Sequence, residues 1–174
     1  MKNKPQVIAQ TIDNLRKVFQ VVNEQSKKAK RETGITGPQL WAIKMIAQSS
    51  PIRVSDLAEK MYIHPATVVG ILNRLEEKDL VKRIRTKDDR RVVHVALTDL
   101  GKSMVRKSPE VAQGLLVAGL ETLTVKELNS IYEGLGKLVE ILGAQEIPPK
   151  LILSNEVNIP DELSQGKKKI RSNK

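Results

Sequence analysis

Cysteine is absent from the 174 residues. That excludes a disulfide framework, a cysteine-ligated zinc finger and any thiol-based redox sensor within this chain. Histidine is nearly absent: His64 and His94 are the only two, and they do not form a metal-ligand spacing. Aromatic side chains are limited to Phe19, Trp41, Tyr62 and Tyr132. A core drawn from this composition is aliphatic, which favours helix-on-helix packing over a β-sandwich. No segment reaches the ~20 apolar residues of a membrane span; the best run, Gly114 to Leu120, ends at Glu121. The N-terminal lysines lead into no apolar stretch, and Asp13 interrupts the region. No secretory signal is expected, and the cytoplasm is the default location. Phosphate-binding loops, nucleophile elbows, HExxH and CxxC motifs are all missing. Neither an enzyme nor a cofactor is expected.

What the chain has is positive charge, a formal +10 at pH 7. Such an excess attracts polyanions, nucleic acid or an anionic surface among them. The charge is not spread evenly. Residues 52–106 hold twelve Lys/Arg against eight Asp/Glu, whereas residues 107–145 hold three against five.

The apolar pattern predicts helices at both ends of a short mixed region. Over residues 5–31, Ile8, Ile12, Leu15, Phe19 and Val22 draw one stripe at helical spacing, and Gly34 stops it. Thr36 caps a second helix with Leu40, Ile43, Ile46 and Ala47 inward. A short third helix spans about Ser55 to Met61. A fourth starts at Pro65, whose missing N–H costs nothing at the first helical position, and buries Val68, Ile71, Leu72 and Leu75. After Asp79 the period changes. Leu80 to Arg85 and Val92 to Leu97 are rich in β-branched residues and flank a charged stretch, which predicts a hairpin. Thr98 caps a fifth helix, which Pro109 kinks or restarts with Ser108 as a new cap. Thr124 to Glu127 forms a capping-box pattern opening a sixth helix with Leu128, Ile131, Leu135, Leu138 and Leu142. Pro148-Pro149 ends the folded reading. The last eight residues carry five basic side chains, and the tail is expected to be flexible.

Three short helices followed by a charged hairpin is the layout of a winged helix-turn-helix. The fourth helix fits the major groove, about 12 Å wide. The hairpin brings Lys82, Arg83, Arg85, Lys87, Arg90 and Arg91 together against Asp88 and Asp89. An arginine on a narrow tip suits the minor groove, where A·T-rich sequence concentrates negative potential. The terminal stripes are too long for a three-helix lobe to cover, which points to a partner chain.

These residues resemble the MarR-type regulators. The stretch Val54 to Met61 looks like their third helix. Ala66-Thr67-Val68, on through Leu72-Asn73-Arg74-Leu75-Glu76 to Leu80-Val81, looks like their recognition helix and its exit. Asp89-Arg90-Arg91 followed by Leu97-Thr98 and Gly101 matches their wing, and Thr36 to Trp41 resembles their second helix. The resemblance covers roughly residues 36–145. It implies a mostly α (α+β) fold, a winged helix-turn-helix with N- and C-terminal dimerisation helices and a two-stranded wing. The implied divisions are an N-terminal dimerisation helix (1–32), a DNA-binding domain (33–106), C-terminal dimerisation helices (107–145) and a basic tail (146–174). It implies a homodimer on double-stranded DNA, with Arg91 probing the minor groove and Asp89 holding it; a dimer on a pseudo-palindromic site blocks polymerase, so a ligand-responsive repressor of transcription is expected. It also implies a cleft for a small aromatic or lipophilic effector, with Trp41 and Met45 as candidate lining residues.

The candidate DNA contacts are His64, Pro65, Ala66, Thr67, Val69, Gly70, Asn73 and Arg74 on the fourth helix and Lys87, Asp89, Arg90 and Arg91 on the wing. The helix is poor in base-reading side chains: Val69 and Gly70 stand where relatives often carry Thr and Arg. Apolar contacts from Ala66 or Val69 suit thymine methyls, so specificity is expected to lean on those methyls, groove shape and half-site spacing. His64 stands as a candidate helix cap or phosphate contact. Tyr62 and Asp79 occupy positions where glycine is usual, so both turns have to tolerate a side chain. Two other readings stay open at this stage, an architectural DNA binder without effector and a helical protein-interaction adaptor. The adaptor has no use for Arg90 and Arg91; the architectural binder predicts little preference among sequences.

Overall fold

Paired capping boxes set the first two helices. Asn3 Oδ1 accepts the Gln6 N–H while Gln6 Oε1 accepts the Asn3 N–H, opening α1 (Lys4–Thr33). Thr36 and Gln39 make the same exchange at α2 (Gly37–Gln48). Each box satisfies two N–H groups that a helix start otherwise leaves unpaired. Gly34, at φ 72°, closes α1 by donating its N–H to the Lys30 carbonyl, as the glycine stop predicts. The computed structural model describes residues 3–85, 92–152 and 158.

After α2 come β1 (Ile52–Arg53), α3 (Val54–Lys60), α4 (Pro65–Glu76), β2 (Val81–Arg85), β3 (Val93–Leu97), α5 (Asp99–Lys107), α6 (Ala112–Glu121) and α7 (Val125–Ile141). The architecture is mostly helical, with seven helices and one three-stranded antiparallel sheet of order β1-β3-β2 among the described residues. The expected hairpin is β2–β3, in a register that pairs Arg83 with Val95 and Arg85 with Val93. Strand β1 was not expected. It is two residues long, too short to show an alternation, and exists because Ile52 pairs with Val95 and is buried there.

The inward face of α4 is as its spacing predicts: Val68, Ile71, Leu72 and Leu75 have no exposed surface. Each such side chain contributes about 1.5–3 kcal/mol on burial. They join Leu40, Ile43 and Ile46 of α2, Leu57 and Ala58 of α3, and Val81, Val95 and Leu97 of the sheet in one core. Ala47, expected inward, is exposed; α2 turns it past the edge of that core.

Tyr62 and Asp79 sit at φ 50° and 54°, in the left-handed region. In both turns the following residue donates to the carbonyl five positions back: Ile63 to Ala58 at 3.1 Å and Leu80 to Leu75 at 2.9 Å. This is the helix-ending geometry whose left-handed position glycine usually fills. The two turns therefore hold side chains where the sequence reading placed them.

Pro109 separates two helices rather than kinking one. Ser108 ends α5, its hydroxyl donating to the Val105 carbonyl, and α6 begins after Val111 without a side-chain cap. The expected new cap at Ser108 is thus a helix stop, because the chain runs extended through Ser108 before α6 starts. The sixth helix of the sequence reading is α7, opened by the Thr124–Glu127 box as expected.

The stripes on α1 and α7 find little cover among the described residues. Val22 and Ala29 are the buried residues of α1; Ile8, Ile12 and Phe19 are exposed. Helix α7 buries none of its residues, with Leu135 56% exposed, and its C-cap Leu142 is 75% exposed. Leu151, beyond the expected end of the fold, is buried in the core cluster. No helix among the described residues is long and apolar enough to cross a membrane.

Candidate nucleic-acid interface

With its inner face fixed, α4 presents Pro65, Ala66, Val69, Asn73 and Arg74 to solvent, with Gly70 half-buried. Positions 65, 66, 69 and 73 lie one or two turns apart on one side of the helix. Val69 is 41% exposed, unusual for a large apolar side chain, and sits in the middle of this face. Nothing lies within 4 Å of where a Cβ at Gly70 would stand, so the backbone there is open to close approach.

The sheet meets this face in a groove of about 540 Å³ lined by Val69 and Asn73 of α4 together with Arg53, Ser55, Arg83, Arg85 and Val93. Among the described residues its charged lining consists of three arginines, with no carboxylate. A concave strip carrying cations of one sign beside an exposed helix is the electrostatic footprint of a polyanion site.

One of those arginines is tied down. Arg83, on β2, donates from Nη1 to Glu76 Oε2 at 2.7 Å and from Nη2 to Asn73 Oδ1 at 2.6 Å. The planar fork of the guanidinium serves both partners at once. Strand β2 is thereby stitched to the outer half of α4. Arg74, the next residue, also makes an interaction of its own.

Two α4 candidates are placed differently from the sequence reading. Thr67 is buried, not solvent-facing, because it lies one residue from the fully buried Val68 on the inner side of the first turn. His64 is the N-cap residue of α4, yet its ring makes no capping bond, and Nδ1 has no partner among the described residues. The capping role falls to Asn158: its Oδ1 accepts the His64 backbone N–H at 2.8 Å and lies 3.4 Å from the Thr67 hydroxyl. The wing candidates Lys87, Asp89, Arg90 and Arg91 lie outside the described residues. Sequence reasoning missed Arg53 and Asn158. The first depends on the β1–β3 pairing, and the second on a contact 94 residues away in sequence.

Trp41 and Met45 line a separate cavity of about 440 Å³ between α2 and α6, with Lys44, Lys60, Glu110 and Glu121 also in its wall. Trp41 is buried and Met45 half-buried against the core. Two polar contacts bridge the same region. Lys44 pairs with Glu110 at 2.9 Å, and the Tyr62 hydroxyl donates to Glu121 at 2.9 Å. That hydrogen bond, reinforced by the glutamate's charge, holds the Tyr62 phenol above its ordinary pKa.

The family model of the MarR family matches residues 35–93, from the residue before the α2 cap through the first residue of β3. Over that segment the chain is similar to the MarR family. The HTH-type transcriptional repressor MdtR of Bacillus subtilis is 28% identical over 166 residues, covering 95% of this chain and 99% of MdtR, so the likeness extends through the terminal helices. Among solved structures, a MepR-like protein complexed with pseudoligands is 27% identical with a TM-score of 0.51, covering 83% of this chain and 100% of that one. The YusO protein from Bacillus subtilis is 26% identical with a TM-score of 0.50, covering 80% and 99%. The matched segment spans the helices and strands from α2 to the start of β3, and MdtR, which it resembles, is named a regulator of transcription.

Proposed function

We propose that this chain is a MarR-type regulator of transcription, a homodimeric, sequence-specific repressor. It binds a pseudo-palindromic operator in double-stranded DNA and releases it when a small aromatic or lipophilic effector binds. The observation that carries the reading is the exposed α4 face lying alongside the arginine-lined groove. Pro65, Ala66, Val69, Gly70, Asn73 and Arg74 face the major groove, and His64 and Thr67 support the helix start. Lys87, Asp89, Arg90 and Arg91 form the tip that enters the minor groove.

The dimer reading rests on the bare stripes of α1 and α7. Contiguous exposed apolar surface of this kind marks an interaction site in a soluble protein. Residues 1–32 and 107–145 supply the dimer helices, 33–106 read DNA, and the basic residues of 146–174 add non-specific phosphate contacts. Paired lobes about 34 Å apart place two α4 helices in successive major grooves, which calls for a pseudo-palindrome. Repression follows from occupying a promoter, and MdtR is itself named a repressor. The effector reading rests on the Trp41–Met45 cavity, and a neighbour in fold is complexed with pseudoligands. The site of action is the cytoplasm.

Footprinting of the purified chain on its own upstream region, with light scattering on the same sample, tests the reading. A protected pseudo-palindrome and a dimeric mass are expected. Replacing Arg91 with Ala lowers affinity and reduces the salt slope by about one unit while the dimer persists. A monomer indifferent to duplex DNA at low salt would overturn the proposal.

A further inference from the structure

Asn73 is the one neutral polar side chain on the exposed middle and end of α4 that has hydrogen-bonding groups suited to a base edge. Asparagine ordinarily reads adenine with both ends of its amide: Oδ1 accepts from N6–H₂ and Nδ2 donates to N7. Here Oδ1 is engaged by the Arg83 guanidinium at 2.6 Å. The same guanidinium is fixed from its other nitrogen by Glu76 at 2.7 Å. Rotating the amide by half a turn would set its NH₂ against an arginine donor, so the orientation is locked. One lone pair of Oδ1 remains, but a positive group stands beside it and repels the N–H donors of adenine or cytosine. Nδ2 gives no hydrogen bond to any described residue.

We infer that Arg83 is a positioning residue that converts Asn73 from an adenine reader into a donor, and that the base pair facing Asn73 is read through the O4 acceptor of thymine. Thymine is favoured over guanine, the other acceptor-bearing base, because Val69 lies one turn back in the same groove and matches the thymine C5-methyl. Guanine offers no apolar group there. The inference rests on the proposed reading of DNA by α4 and adds which base that helix selects and why.

The test is selection from a random duplex library with three proteins: the wild-type chain, Asn73→Ala and Arg83→Met. The wild-type consensus is expected to hold one T·A pair per half-site that Asn73→Ala flattens, with a preference of roughly tenfold lost. Neighbouring positions keep their information. Arg83→Met is expected to shift that same position towards adenine on the contacted strand, since Oδ1 becomes free to accept. Uracil in place of that thymine weakens wild-type binding several-fold but not that of Val69→Ala, because the lost methyl has no partner left. Circular dichroism checks that each variant is folded.

An adenine at the Asn73-dependent position in the wild type would overturn the inference. So would a uniform loss of affinity on all sequences with Asn73→Ala, which marks a phosphate contact. An unchanged consensus with Arg83→Met removes the positioning role. If the wild-type chain enriches no sequence at all, the inference falls together with the reading of DNA; enrichment that ignores Asn73 sinks the inference alone.

Discussion

Asn158 caps α4 from 94 residues away: its Oδ1 accepts the His64 backbone N–H at 2.8 Å, where the helix's own N-cap side chain makes no capping bond. The Asn158 N–H in turn donates to the Pro149 carbonyl at 2.7 Å, and Leu151 is buried in the core. The exposed face through Pro65, Ala66, Val69 and Asn73 stays open with this contact in place.

The stability of the winged lobe is therefore expected to depend on the segment after α7. Asn158→Ala removes a cap and costs about 1 kcal/mol. Leu151→Ala opens a core cavity and costs about 2–4 kcal/mol. Urea unfolding of both variants, followed by circular dichroism, measures this. A chain truncated after Gln145 that unfolds at the wild-type midpoint would show that the segment contributes nothing.

This contact also marks where the sequence stopped being readable. Elements with a strong local signal were in view: the α4 inner face from its spacing, the Thr124–Glu127 box from its motif, the two left-handed turns from side chains at glycine positions. Strand β1 was hidden because two residues carry no period. The burial of Thr67 was hidden because the angle at which α4 meets the core, and not the helical period alone, decides which flank of the first turn is covered. The Asn158 cap was hidden because nothing near residue 158 resembles a folded element. Arg83 was visible as a hairpin cation, but its grip on Asn73 needs the β2–α4 approach, which no local pattern specifies.

Gly101 and Gly70 are expected to respond to alanine in opposite directions. A methyl on Gly101 would run into the Leu80 backbone carbonyl oxygen, at the junction where Thr98 caps α5 and bonds the Asp79 carbonyl. Backbone against backbone gives no flexible group that could move aside, so Gly101→Ala destabilises by about 3 kcal/mol. At Gly70 a methyl meets nothing within 4 Å inside a helix, and alanine gains about 0.5–1 kcal/mol of backbone entropy. Thermal unfolding of the two variants checks both signs. If Gly70→Ala melts higher and binds operator more weakly, the open backbone there is in contact with DNA.

Asp79 offers a stabilising change in the opposite sense. A side chain in the left-handed region costs about 1–2 kcal/mol, which aspartate reduces and glycine removes. The anchoring bonds of this turn run through the backbone of Asp79 and Leu80, so they survive the substitution. Asp79→Gly is expected to raise the melting temperature by about 2 °C after the entropic cost of glycine. A lower melting temperature would show that the Asp79 side chain holds the turn by a contact of its own.

The start of α7 is expected to weaken in acid. The Glu127 carboxylate accepts the Thr124 hydroxyl at 2.7 Å and the Thr124 N–H at 2.9 Å. The hydroxyl bond first and the backbone bond second hold its pKa below the ordinary glutamate value. The unfolded chain takes up that proton more readily than the folded one. The contribution is thus complete above the ordinary value and is lost as pH falls through the lower folded value. Melting temperatures of the wild type and Glu127→Gln, recorded from pH 7 to pH 3, should converge as pH drops. Parallel curves would place the acid sensitivity elsewhere.

Trp41 makes the effector proposal measurable without a label. It is the single tryptophan of the chain, and it lines the cavity of about 440 Å³ with Met45 beside it. The cavity wall also holds the Lys44–Glu110 bridge and Glu121, which accepts the Tyr62 hydroxyl from beyond the wall; both contacts tie α2 and the turn after α3 to the start and end of α6. An occupant that alters either contact changes how the lobes sit and hence how two α4 helices match a duplex. A small phenolic carboxylate is expected to quench Trp41 fluorescence saturably. Met45→Ala weakens that binding several-fold while leaving operator affinity unchanged when no effector is present. Linkage then fixes a second number: the factor by which the effector weakens operator binding equals the factor by which operator DNA weakens effector binding. Quenching that proceeds equally well on the operator complex would mean that occupancy of this cavity and grip on DNA are independent, and the ligand-responsive half of the proposal would fail.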